Sequence, residues 1–220
     1  MPGCGRTSPK AKDESRPAPR DDEETVGGSV TVFERSRKVM GTLFSITVVG
    51  EKTPKKETAV RKAFAEMSRM EGLFSEWLPD SDISRINAAA GSAPVRVGEE
   101  VIEVIEAGLT VSRWSQGAFD LTWAALRGLY NFEPGSERYP TPAEIEKRLA
   151  FIDYKGIVVD VEARTVMLRR SGMRLGAGGI VKGLALDKAS RALKQAGIKD
   201  FMMLGGGQVI VSGKRGVRPW

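Results

Sequence analysis

A glycine-rich segment at residues 175–187 carries the strongest chemical signal in the sequence. Its glycines would let backbone amides approach a ligand closely, and they lead into a helical pattern whose first amides and dipole favour an anion such as pyrophosphate. Lys182 would add a positive charge. The alternative is a tight turn that only packs a helix closely against a strand. The dinucleotide-binding motif would need glycine at Val181, and the nucleotide P-loop would need lysine after a glycine and before Ser or Thr, so the segment matches neither.

Two other segments could serve the same ligand. Three consecutive glycines at 205–207 follow the apolar run 202–204 and could bring backbone against it. Asp120 lies in the segment 116–122, after an amphipathic pattern, where it could hydrogen-bond a ligand or cap the next helix. Taken by itself, that pattern favours capping.

The residue types that are absent restrict the chemistry. The 220-residue chain has no histidine, which removes the commonest general base and the commonest transition-metal ligand. Cys4 is the only cysteine, so these residues can form no internal disulfide, zinc cluster or Cys–His nucleophile. Any bound metal would be a hard cation held by oxygen ligands, which favours magnesium or calcium.

The net charge of +6 raises the question of a nucleic-acid or membrane partner. Acidic and basic residues alternate in stretches such as 144–148, and the densest basic runs, 35–38 and 52–56, lack regular aromatic interleaving. This pattern favours a solvated mixed surface and no nucleic-acid partner. No apolar run approaches the roughly 18 residues of a membrane span.

Residues 1–29 are predicted to form a disordered charged tail or tether, because they hold too few apolar side chains to offset the entropy of ordering. Within this tail, Cys4 and the three residues before it resemble the end of a bacterial lipoprotein processing site, and a chance cysteine is the other interpretation. A lipid on Cys4 would be the only membrane contact. If the start codon is as given, a cytoplasmic location is expected, since no apolar signal-peptide core precedes the cysteine.

Residues 30–220 are predicted to form one α+β domain with a mixed sheet and packed helices, because hairpins occur without regular βαβ alternation. The residues at helical spacing in the first helix, Val60, Phe64, Met67 and Met70, are predicted to face the core. Strands are predicted at 30–33, 42–49, 157–161, 165–169, 173–175 and 201–204, and helices from 54, after 81, at 99–115, at 142–150 and at 181–196.

Five motifs, in chain order, resemble the FAD:protein FMN transferase (ApbE) family. They are residues 40–42, 74–77 continuing through 80–87, 117–122, 178–183 with Asp187, and 204–207. The resemblance covers 30–220 and implies an ApbE-like, T-fold-related architecture. Family members continue past the position of Trp220, with Asp and Thr magnesium ligands and a histidine-containing segment. The resemblance therefore implies the N-terminal two-thirds of such a domain, incomplete at its C-terminus.

The resemblance implies a Mg²⁺-dependent transfer of the FMN half of FAD to a threonine hydroxyl of an acceptor protein, with release of AMP. It also implies a location on the periplasmic face of a bacterial membrane. It assigns no catalytic residue within this chain. By the same resemblance, Gly179 would offer its carbonyl to the metal, Lys182 would lie near the phosphates, and the remaining contacts to the flavin nucleotide would come from Met40, Trp77, Ala118, Phe119 and Asp120.

Trp77 has a structural alternative as a core aromatic, although its polar neighbours suit stacking on a ring. Gly176, counted among the FAD-binding positions, departs from the family, whose members usually carry aspartate there. An aspartate at this position is expected to raise FAD affinity or the transfer rate. Two other functions stay open: a non-catalytic FAD-binding protein, and a basic module that would bind DNA or RNA in a salt-dependent way.

Overall fold

The computed structural model describes residues 23–26 and 30–220. Most of the predicted tail, including Cys4, lies outside the described residues. Within the tail, residues 23–26 form a strand that pairs with the first strand of the domain. In the part of the chain that is described, no helix is both long and apolar enough to cross a membrane.

The described chain combines helices with antiparallel strands. Its α-helices are α1 (Pro54–Phe74), α2 (Asp82–Ala88), α3 (Glu99–Trp114), α4 (Pro142–Leu149) and α5 (Gly178–Gln195), and short 3-10 helices span Leu121–Leu126 and Tyr154–Gly156. Its strands are β1 (Glu23–Val26), β2 (Val30–Val39), β3 (Thr42–Val49), β4 (Val95–Arg96), β5 (Ile157–Asp160), β6 (Thr165–Leu168), β7 (Phe201–Gly205), β8 (Gln208–Ser212), β9 (Lys214–Arg215) and β10 (Arg218–Pro219). The predicted α+β class is confirmed.

Five strands form the main sheet in the order β1-β2-β3-β7-β8, and a smaller sheet has the order β4-β6-β5. The described pairings are all antiparallel, so the sheets are not mixed as predicted. Tight turns explain part of this: the chain reverses at Met40–Gly41 between β2 and β3, and at Gly206–Gly207 between β7 and β8. All four of these turn residues have positive φ, as the type I′ two-residue hairpin turn requires.

The core lies between the main sheet and its helices. Alternate residues of β3, Phe44, Ile46 and Val48, are fully buried, as expected for one face of a strand. Helix α1 packs against α5. The predicted core stripe of α1 is confirmed, since none of its four side chains, Val60, Phe64, Met67 and Met70, is more than 2% exposed.

Local capping signals place the helix ends correctly. The Ser81 hydroxyl accepts a hydrogen bond from the Ser84 amide and begins α2, as predicted. Thr141 and Glu144 form the predicted capping box of α4, with proline at its first position. Because these signals depend on residues three apart, they can be read from sequence alone.

The predicted strand at 173–175 is wrong. These residues belong to no strand, and Leu175 bonds instead to the side chain of Asn87. Its amide nitrogen donates to the Leu175 carbonyl at 3.0 Å, and its oxygen accepts from the Leu175 amide at 2.6 Å. Helix α5 then begins at Gly178, three residues before the predicted start.

One carboxylate connects three helices. Glu100 of α3 accepts hydrogen bonds from Arg69 of α1 and from Lys188 of α5. The hydrogen bonds from Arg69 and then from Lys188 lower the pKa of Glu100 to about 2. The ion pairs hold α3 and α5 against α1, the helix whose C-terminal end leads into the site described next.

Candidate functional site

A cavity of about 840 Å³ opens where the β2–β3 turn, the end of α1 and the start of α5 converge. Its wall is mostly apolar with a few polar groups, which is the usual composition of a small-molecule site. The lining residues are Met40, Gly41, Glu71, Phe74, Ser75, Glu76, Trp77, Leu78, Trp123, Leu126, Arg127, Gly128, Tyr130, Phe132, Gly178, Val181 and Lys182.

Met40 occupies an unusual backbone conformation at the edge of this cavity. Its φ is +51°, which is uncommon for a residue other than glycine. The carboxylate of Glu71 on α1 accepts a hydrogen bond from the Met40 amide at 2.9 Å. Because such strain persists only where surrounding contacts hold it, the turn is fixed against α1 with the Met40 side chain at the cavity.

Trp77 stands in solvent at the cavity wall and does not belong to the core. Its side chain is 77% exposed, so the alternative of a core aromatic is wrong. The guanidinium of Arg127 lies 3.5 Å from the centre of the Trp77 ring, and the same guanidinium donates to the Glu76 carbonyl at 2.6 Å. These contacts hold the indole in place before any ligand arrives, which reduces the entropy lost on stacking.

Sequence reasoning missed three aromatic residues of the cavity. Trp123 donates from its indole nitrogen to the Gly176 carbonyl at 3.1 Å, and Tyr130 and Phe132 stack with ring centres 5.8 Å apart. All three are substantially exposed. The sequence does show three aromatic residues within the short segment 123–132, and this could have indicated the site, since exposed apolar surface often marks a binding site.

The glycine loop meets the cavity at the first turn of α5. No side chain caps this helix end, so its first backbone amides are available to a ligand. Lys182 lies one turn further along α5, with its amine 3.4 Å from the Gly178 carbonyl. Its aliphatic stem passes over Gly206, where an added Cβ would lie 2.4 Å from Lys182 Cδ. The two glycine clusters therefore meet at Lys182, and their contact with one shared ligand stays a prediction.

The segment Ala118–Asp120 lies behind this loop and does not line the cavity. Asp120 caps the 3-10 helix: one carboxylate oxygen accepts from the Thr122 amide at 2.7 Å and the other from the Tyr154 amide at 2.8 Å. Phe119 lies beside Gly179, and a Cβ added there would be 3.4 Å from its ring. Ala118 is exposed. Their contact with a flavin nucleotide stays a prediction.

Gly176 is buried and tightly enclosed. A Cβ added there would lie 2.8 Å from a carboxylate oxygen of Glu76, 3.0 Å from the Trp123 ring and 3.0 Å from the Ala124 Cβ. A side chain at 176 would therefore require the Glu76 side chain to move and the ring of Trp123 to shift slightly, and the expectation that Gly176→Asp improves binding stays a prediction. Burial raises the pKa of Glu76, against the opposing effect of the guanidiniums of Arg127 and Arg174.

The described residues do not by themselves form a metal site. They contain no group of three or more acidic, histidine or cysteine side chains placed to hold a metal ion. Gly179, the predicted source of a carbonyl ligand, lies in the first turn of α5. In a regular helix that carbonyl accepts a hydrogen bond from the amide four residues on.

Comparisons with known proteins agree on one family. The ApbE family model matches residues 40–220. The chain is 31% identical over 196 residues to an FAD:protein FMN transferase of Treponema pallidum, covering 85% of this chain and 54% of that protein. It is 27% identical over 188 residues to one of Klebsiella pneumoniae, with 83% and 54% covered. The chain spans about half the length of these curated relatives.

Solved structures share the fold. The crystal structure of the ApbE protein from Thermotoga maritima aligns with a TM-score of 0.75 and 30% identity, covering 86% of this chain and 62% of that one. The flavin transferase ApbE from Vibrio cholerae aligns with a TM-score of 0.77 and 22% identity, covering 87% and 63%.

Proposed function

The chain belongs to the ApbE family, and on that premise we propose that it carries the FAD-binding part of an FAD:protein FMN transferase. The observation that carries the proposal is the cavity, which brings Met40, Trp77 and Lys182 together at the uncapped start of α5. An aromatic wall suits the flavin ring, and a helix N-terminus beside a lysine suits the pyrophosphate.

The proposed reaction transfers one half of FAD. A threonine hydroxyl oxygen of the acceptor protein attacks the phosphorus of the FMN half, a new P–O bond forms, and the bond from that phosphorus to the bridging oxygen breaks. AMP leaves with the bridging oxygen, and the hydroxyl proton is lost to solvent or a base. In such transfers the protein mainly positions the groups and neutralises charge, and in this proposal the α5 amides and Lys182 would do both.

We also propose that the reaction needs Mg²⁺. The described residues alone do not fit a magnesium ion, since only the Gly179 carbonyl was predicted among them and no acidic cluster accompanies it. Phosphate oxygens and water are ordinary magnesium ligands and would share its coordination with the Asp and Thr ligands that the family resemblance implies. Loss of activity in EDTA, restored by added Mg²⁺, is the expected result.

Threonine as the acceptor, a lipid anchor at Cys4 and a periplasmic location are further parts of the proposal. They rest on the family resemblance, and Cys4 lies outside the described residues. No nucleic-acid partner is proposed, because the positive charges of the chain alternate with negative ones.

The test incubates the chain, and any longer form that its gene encodes, with FAD, Mg²⁺ and an acceptor domain bearing the target threonine. We expect flavin fluorescence on the denatured acceptor and an equal amount of AMP, both lost when the threonine is replaced by alanine. FAD binding without AMP release would instead indicate a non-catalytic FAD-binding protein, a second candidate that Gly176 favours, because relatives are expected to carry a carboxylate there.

A further inference from the structure

We propose that Glu76 is an FAD-binding residue of this cavity, and that its carboxylate replaces the one expected at position 176. It would accept a hydrogen bond from an N–H or O–H group of the nucleotide. The proposal deepens the function proposed above and rests on it.

The first observation is the position of the carboxylate. Glu76 lines the cavity, and one of its oxygens lies 2.8 Å from where a Cβ on Gly176 would stand. A side chain at 176 would therefore require the Glu76 carboxylate to move from its present position. Gly176 is not among the glycines with positive φ, so its backbone does not demand glycine. The need for a small residue at 176 comes from what surrounds it.

The second observation is that this carboxylate has no hydrogen-bond partner among the described residues. The backbone carbonyl of Glu76 accepts from Arg127, whereas neither carboxylate oxygen forms a hydrogen bond or ion pair there. Glu76 is partly buried, and burial raises its pKa. A half-buried carboxylate without a protein partner gains more from a ligand donor than a fully solvated one does, and such groups are found at functional sites.

The third observation is the charge around Glu76. The positive charges of Arg127 and Arg174 oppose the effect of burial on its pKa, so both guanidiniums lie within electrostatic range of the carboxylate. Arg174 Nε is itself buried and has no hydrogen-bond partner in the described part of the chain. The cations would offset repulsion between Glu76 and the phosphates of FAD, which lets a carboxylate serve in a site for an anionic ligand.

The experiment measures FAD dissociation constants of the full chain by fluorescence titration. Glu76→Gln keeps the shape but removes the charge, and it should weaken FAD binding about tenfold to a hundredfold, as expected for a charged hydrogen bond. Glu103→Gln, an exposed position on α3 outside the cavity, makes the same charge change and should leave affinity within about twofold. Titrations with riboflavin and with ADP identify which half of FAD carries the donor, since only that half should lose affinity.

An exchange of positions makes the test stricter. Gly176→Asp alone should weaken FAD binding because the Glu76 carboxylate would have to move from its present position, whereas Glu76→Ala with Gly176→Asp should bind FAD more tightly than either single variant. Thermal unfolding confirms that each variant is folded before it is titrated.

Two results would overturn the proposal while leaving the proposed function intact. One is a Glu76→Gln protein that binds FAD as tightly as the unmodified chain, or more tightly. The other is a folded double variant with no gain over its single variants. If the unmodified chain binds no FAD, the proposed function fails as well.

Discussion

Replacing Asn87 by alanine should destabilise the fold and weaken FAD binding together. The buried amide of Asn87 donates to the Leu175 carbonyl and accepts from the Leu175 amide, and Leu175 is only 1% exposed. Alanine would leave one buried N–H and one buried C=O without partners, at a cost of about 1–3 kcal/mol each. The free energy of unfolding should therefore fall by about 2–5 kcal/mol.

Urea denaturation followed by tryptophan fluorescence measures this loss. The matched control is Asn131→Ala, because the partly exposed Asn131 side chain makes its hydrogen bonds, to Ser136 and Glu133, within one surface loop where water can replace them. That change should lower the free energy of unfolding by no more than about 1 kcal/mol.

Titration of folded Asn87→Ala protein with FAD tests the positioning role. Leu175 directly precedes Gly176 and the start of α5, so a loosened Leu175 should displace the loop and raise the FAD dissociation constant. An Asn87→Ala protein as stable as Asn131→Ala would refute the energetic reasoning. A destabilised variant with unchanged FAD affinity would refute the link to the site.

Three further predictions concern single side chains. Trp77→Ala should weaken FAD binding about threefold to tenfold, because the stacking on the ring is lost. The control Trp114→Ala, at an 80% exposed position outside the cavity, should leave FAD binding unchanged, and fluorescence titration measures both dissociation constants. Lys182→Met should raise the FAD dissociation constant about tenfold and reduce its salt dependence, while Lys194→Met, in the last turn of α5, should change neither. Glu100 has its pKa lowered from 4.5 to about 2, so it stabilises the fold above about pH 4.5 and this contribution is lost as the pH falls towards 2. Glu100→Gln should lower the free energy of unfolding by about 1–2 kcal/mol at pH 7 and make it less dependent on pH between 4.5 and 2. Urea unfolding at several pH values measures both effects, and a variant as stable as the unmodified protein at pH 7 would contradict the lowered pKa.

The sequence predicted features that depend on nearby residues. The apolar stripe of α1 and the capping box at Thr141 each depend on residues three or four positions apart, so they can be recognised without knowing the fold. Both are confirmed. The motif resemblance implied FAD contacts at seven positions, of which the cavity brings Met40, Trp77 and Lys182 to one place. Ala118–Asp120 and Gly176 do not line it, and every contact with FAD stays a prediction.

The sequence did not predict contacts between distant segments. The segment 173–175 was predicted to be a strand, but the backbone of Leu175 is hydrogen-bonded to the side chain of Asn87, 88 positions away. Glu76 and Gly176 are separated by a hundred positions, and only the fold shows that one fills the space beside the other. A sequence pattern relates each position only to its neighbours in the chain. It therefore predicted that glycine at 176 removes a carboxylate, but it could not show that the Glu76 carboxylate lies beside that position.

The most direct test of the central claim is a crystal structure of the chain with FAD bound. We predict that the flavin ring lies against Trp77 and that pyrophosphate oxygens accept hydrogen bonds from the first amides of α5, near Lys182. FAD bound outside this cavity, or with its pyrophosphate away from the start of α5, would contradict the account.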